Sequence, residues 1–96
     1  MRITARERAA IREIVRHADR EAKIYLFGSR TDDRLRGGDI DLLVVSNRVS
    51  LADKLDILAR IKQILGEQKI DLLVKSAQDA ASDPFVADIL KSAVLL

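Results

Sequence analysis

Three short apolar runs constrain what this chain can fold into. Lys23-Ile-Tyr-Leu-Phe27 stops at Gly28, Asp39-Ile-Asp-Leu-Leu-Val-Val-Ser46 is polar only at its start and end, and Lys69-Ile-Asp-Leu-Leu-Val-Lys75 has an acid at its third position. Apolar runs of this length, bounded by glycine or polar residues, read as buried strands. A sheet of such strands needs a cover, and helical patterns supply it. Thr4-Ala5-Arg6-Glu7 matches a capping box, and Ile11, Ile14, Val15 and Ala18 follow at helical spacing, so residues 5 to 19 read as an amphipathic helix. Ser50-Leu-Ala-Asp53 is a second, weaker box, opening a helix marked by Leu51, Leu55, Leu58 and Leu65 and closed by Gly66. Asp83-Pro84 supplies an N-cap and first-turn proline for a last helix carrying Phe85, Ile89, Leu90 and Val94.

Between the first two strands, Ser29 to Gly38 is a polar, charged loop that starts with one helical turn and ends in Gly37-Gly38. The order is α, β, short α, β, α, β, α, an α/β (α+β) arrangement of one small mixed sheet with packed helices. A chain of 96 residues builds one modest core, so residues 1–96 are expected to form a single domain with no internal repeat or linker.

Composition removes several function classes. Tyr25, Phe27 and Phe85 are the only aromatic residues, too few for a base-stacking platform, which argues against direct nucleic-acid binding. The absence of cysteine excludes disulfides and thiolate metal sites and suits a reducing cytosol. No apolar run is long enough to span a bilayer, and the Arg-rich start lacks a signal-peptide core, so the expected location is cytoplasmic. The net charge of +2 divides unevenly: residues 1–38 carry ten Lys/Arg against six Asp/Glu, and residues 39–96 seven against nine. A basic front half beside an acidic centre can attract a polyanion such as a nucleoside triphosphate, although the N-terminal arginines read first as a solvated helix face.

The acids carry the chemistry. Successive strand residues point to opposite faces, so Asp39 and Asp41 share one, with Ile40 between them. Two neighbouring carboxylates repel unless a cation joins them. Oxygen ligands suit Mg²⁺ or Mn²⁺, whereas Zn²⁺ prefers His or Cys, and this chain has one His and no Cys. If the Asp71 strand pairs beside the Asp39–Asp41 strand, three acids converge. Three carboxylates can hold two magnesium ions against the attacking and leaving oxygens of a phosphoryl displacement. Gly28-Ser29 offers a triphosphate cradle: glycine admits close backbone approach, and the following N–H groups and the serine hydroxyl donate. Arg30 either touches phosphate or pairs with Asp32 or Asp33. His17 reads as exposed, Tyr25 as core and Lys75 as a solvated strand end. Phe85, Ile89, Leu90 and Val94 to Leu96 read as mostly core, the last three partly open to a partner.

The string Leu26-Phe27-Gly28-Ser29-Arg30, with Asp39-Ile40-Asp41-Leu42 beginning nine residues later and Ile70-Asp71-Leu72 beyond, resembles the minimal nucleotidyltransferase (MNT) domains of the DNA polymerase beta superfamily. The resemblance spans nearly the whole chain. It departs at Thr31-Asp32-Asp33, where many relatives have small residues and glycine. It implies that Asp39 and Asp41 bind both metals, that Asp71 binds the nucleophile-side metal and helps deprotonate the attacking hydroxyl, and that Ser29 holds the triphosphate with Gly28 giving room. It further implies AMP transfer from ATP, and a small helical HEPN-type partner in a toxin–antitoxin pair. There this chain is the antitoxin and adenylylates a tyrosine of the toxin; the sequence leaves a homo- or hetero-oligomer open. The alternative reading is a non-catalytic subunit that neutralises such a partner by contact alone.

Overall fold

The structure, a computed structural model, describes residues 3–28, 40–66 and 68–96. The loop expected from Ser29 to Gly38, with its helical turn, lies outside the described residues, as does Asp39. Helix α1 spans Ala5–Ala18 and starts as its sequence specifies: the Thr4 hydroxyl accepts from the Glu7 amide at 3.0 Å, and the Glu7 carboxylate accepts from the Thr4 amide at 2.8 Å. Helix α2, Leu51–Leu65, repeats the device with Ser50 and Asp53 and ends at Gly66, which takes a φ of +78°. The strands are β1 (Lys23–Phe27), β2 (Ile40–Val45), β3 (Ile70–Lys75) and a two-residue β4 (Val94–Leu95). Helices α3 (Ala77–Ser82) and α4 (Pro84–Leu90) lie between β3 and β4.

The four strands form one sheet in the order β3-β2-β1-β4, with β2 and β3 parallel and the other pairs antiparallel. Ile40–Val44 and Ile70–Val74 are the same pentapeptide, Ile-Asp-Leu-Leu-Val, and they pair residue for residue. The sequence is therefore not free of repetition. A five-residue identity is too short for a repeat architecture, yet it sets the register, because equal alternation puts like residues on the same face.

One face is closed. Ile24, Leu26, Ile40, Leu42, Val44, Ile70 and Leu72 pack against Ile11 and Val15 of α1 and Ile57, Ile61 and Leu65 of α2. On the other face Leu43 packs against Val86 and Ile89 of α4, with Tyr25, Phe27, Val45, Leu73 and Ala93 around them. The two central positions Leu42 and Leu43 are both fully buried, which is why β2 reads as a continuous apolar run. Among the described residues no helix is long and apolar enough to cross a membrane.

Several expectations need correction. The last helix stops at Leu90, and Val94 lies in β4, opposite Leu26. The amides of Ser92 and Ala93 both donate to the Ile89 carbonyl, which closes the helix end, and the free edge of β1 then captures the chain. Phe85 is 60% exposed, not core, because Val86 and Ile89 are the α4 residues that face the sheet. Leu51 and Leu55 are exposed as well, since α2 meets the core through Ile57, Ile61 and Leu65. Helix α3 is absent from the order expected from sequence; it buries no side chain and so leaves no apolar period to read, although the Ser76 hydroxyl caps it at the Asp79 amide. His17 is exposed, as expected, and Tyr25 is half-buried in the α4 cluster. Lys75 is partly covered and paired with Asp83 at 3.3 Å instead of being a freely solvated strand end.

Candidate active site

On the face that carries α4, the strand register arranges side chains in rows. Phe27, Asp41 and Asp71 form the first, Tyr25, Leu43 and Leu73 the second, and Lys23, Val45 and Lys75 the third. Helix α4 belongs to the lower rows. Its N-cap Asp83 pairs with Lys75, and Val86 and Ile89 close over Leu43. The first row keeps access to solvent: Asp41 is half-buried and Asp71 exposed.

The register brings Asp41 and Asp71 together as directly opposed partners on adjacent parallel strands. Gly28, the residue after β1, approaches Asp41. Its φ is +75°, a conformation that side chains rarely adopt, and a Cβ placed there would run into the Asp41 carboxylate. The backbone thus turns in contact with Asp41, an approach that only glycine permits. Two carboxylates beside an exposed turn offer oxygen donors for a hard divalent cation. Among the described residues no group of three His, Cys, Asp or Glu is placed to hold a metal. The third sequence candidate, Asp39, and the phosphate candidates Ser29 and Arg30 lie outside the described residues.

A nucleotide-handling reading gains support from comparison with known proteins. The family model described as "Polymerase beta, Nucleotidyltransferase" matches residues 9–96. The chain belongs to the polymerase beta nucleotidyltransferase family. Among solved structures, that of the toxin–antitoxin MntA–HpeT, in a mutant with two aspartates changed to glutamates, is similar at a TM-score of 0.65 and 18% identity, covering 93% of this chain and 70% of that one. At that identity the likeness shows the fold, the mixed sheet with packed helices of nucleotidyltransferases. No curated protein matches the sequence significantly.

The opposite end of this nucleotidyltransferase sheet holds a polar feature that sequence reasoning missed. Asp19, just beyond α1, is buried and accepts from the Ser46 hydroxyl at 2.6 Å and the Glu21 amide at 3.0 Å. Ser46 in turn accepts from the amides of Arg48 and Val49. The Ser46 hydrogen bond foremost, then the Glu21 amide, holds the Asp19 carboxyl below its ordinary range, with Arg48 adding to the effect and burial opposing it. The partners lie 27 residues apart, so no local pattern signals them. Ser46 follows the last residue of β2 whereas Asp41 is near its first, which makes Asp19 a clip between α1 and the sheet instead of a member of the site.

Proposed function

We propose that the chain is a magnesium-dependent nucleotidyltransferase that moves AMP from ATP to a hydroxyl, that the hydroxyl belongs to a tyrosine of a small helical HEPN-type toxin, and that the transfer makes the chain the antitoxin of the pair. The observation that carries this reading is the side-by-side register of Asp41 and Asp71 next to the Gly28 turn, on the stretch of sheet that α4 leaves open. Asp39, Asp41 and Asp71 supply the carboxylates for Mg²⁺, with Mn²⁺ able to replace it. Divalent ions, when bound, neutralise the triphosphate and stabilise the oxygens whose bonds form and break. Ser29 and Arg30 donate to the triphosphate, and Gly28 admits it.

In this scheme the tyrosine oxygen attacks the α-phosphorus while Asp71 accepts the hydroxyl proton. The bond from the α-phosphorus to the bridging oxygen breaks, and pyrophosphate leaves. The exposure of Asp71 suits a group that must meet an acceptor from another protein. The relevant compartment is the cytoplasm, where ATP and magnesium are abundant.

The test is to incubate the protein with Mg²⁺, α-labelled ATP and the product of the neighbouring gene. Label should become covalently attached to the partner and should fall at least ~100-fold in Asp41→Asn or Asp71→Asn, the scale expected for loss of a general base or a metal ligand. A second reading is neutralisation by contact alone, and the similar solved structure, that of a toxin–antitoxin pair, is compatible with either. Unlabelled partner that is still neutralised by the Asp41→Asn and Asp71→Asn variants would decide for it.

A further inference from the structure

Phe27 is the one member of the first row that carries no charge, and it occupies a junction. It is in direct register with Asp41 on the neighbouring antiparallel strand, so the two side chains share a face and are nearest neighbours across the ladder. Its ring is half-buried among the residues packed on Leu43, Val86 and Ile89. The next residue is Gly28, where the chain takes a φ of +75° and passes against the Asp41 carboxylate. The ring therefore connects the α4 cluster to the backbone turn that touches Asp41.

We propose that Phe27 is a positioning residue of the site: anchored in the α4 cluster, its ring fixes where Gly28 turns and hence how the Asp41 carboxylate is held. An aromatic side chain suits this task. It has only two side-chain torsions, so packing on one edge immobilises the whole group, and its bulk keeps water from one flank of Asp41. Groups that hold a metal ligand in place without touching the metal commonly change affinity by ~10–100-fold when removed. The inference rests on Asp41 being a ligand.

The experiment is a Mn²⁺ titration of the 96-residue protein, read by the loss of the free-ion electron paramagnetic resonance signal, with thermal unfolding in parallel. Phe27→Ala should bind Mn²⁺ about tenfold more weakly than wild type while still unfolding cooperatively. Phe27→Leu, which keeps most of the volume, should stay within about threefold. Val45→Ala thins the same cluster two rows away and should lower stability with Mn²⁺ affinity unchanged. Wild-type affinity in Phe27→Ala, or an equal loss in Val45→Ala, would overturn the positioning role while leaving the metal site standing. Failure of the wild-type protein to bind Mn²⁺ would overturn the site reading and this inference together. If Phe27→Ala does not fold, Phe27→Leu and Phe27→Val carry the test: a larger loss of affinity in the smaller Val than in Leu supports the role, and wild-type affinity in Phe27→Val ends it.

Discussion

Gly28→Ala separates the backbone role of this glycine from its role at the site. Two costs arise. An alanine at φ +75° carries about 1–2 kcal/mol of backbone strain. Its Cβ would also occupy space taken by the Asp41 carboxylate, but the nearest atom is the far end of a side chain that can rotate away. The collision should therefore cost little stability and instead displace the carboxylate by on the order of 1 Å, a misplacement that can cost ~10²-fold in rate. Gly66 is the internal control, since its φ is +78° and a methyl added there would meet nothing within 4 Å. Both alanine variants should lose stability, with Tm falling by about 4–8 °C per kcal/mol. Only Gly28→Ala should lose Mn²⁺ binding and nucleotide transfer. The assay pairs differential scanning calorimetry with a metal titration on each variant. Normal metal affinity in Gly28→Ala, or equal loss in Gly66→Ala, would refute the argument that the Gly28–Asp41 contact sets the carboxylate.

Three further outcomes test the fold around the site. Because the Asp19 carboxyl is held below its ordinary value of 3.8, its contribution to stability is complete above about pH 4 and is lost as the pH falls through the lowered folded value; thermal melts taken from about pH 7 to about pH 2 should show a steeper acid decline in wild type than in Asp19→Asn. Leu43→Ala, at a fully buried position between the sheet and α4, should cost about 2–5 kcal/mol in urea denaturation. Phe85→Ala should change stability by no more than about 0.5 kcal/mol in the same assay, since the ring is 60% exposed.

What the sequence discloses and what it hides divides along physical lines. β1, β2 and β3 are legible because each spans a run whose composition and length admit little else, and α1 and α2 because their caps coincide with apolar periodicity. β4 is hidden: two residues have no period, and only the open edge of β1 makes Val94 and Leu95 a strand. Phe85 misleads for a related reason, since an apolar residue next to Val86 and Ile89 looks like core until the direction of the helix is known. The acids Asp41 and Asp71 stand out in sequence as charges in apolar strands. Their adjacency needs the parallel pairing of β2 with β3, for which the repeated Ile-Asp-Leu-Leu-Val is the available signal. The approach of Gly28 to Asp41 has no signal at all, because it depends on β1 ending level with the start of β2.

The open row follows from the dimensions of the parts. Residues on one face of a strand recur every ~7 Å, and a helix with its side chains is ~10 Å wide, so a single helix laid over the Leu43 row covers its neighbours only in part. Two attachments decide which neighbour is left out. The Asp83–Lys75 pair ties the start of α4 to the far end of β3, and Val86 and Ile89 bind it to Leu43. Shifting α4 over the first row would press apolar side chains onto Asp41 and Asp71, and moving ionised carboxylates out of water into apolar surroundings costs several kcal/mol each. The same charges that suit the row to cations thus keep its hydrophobic cover away, and the chain needs no separate device to hold the site open.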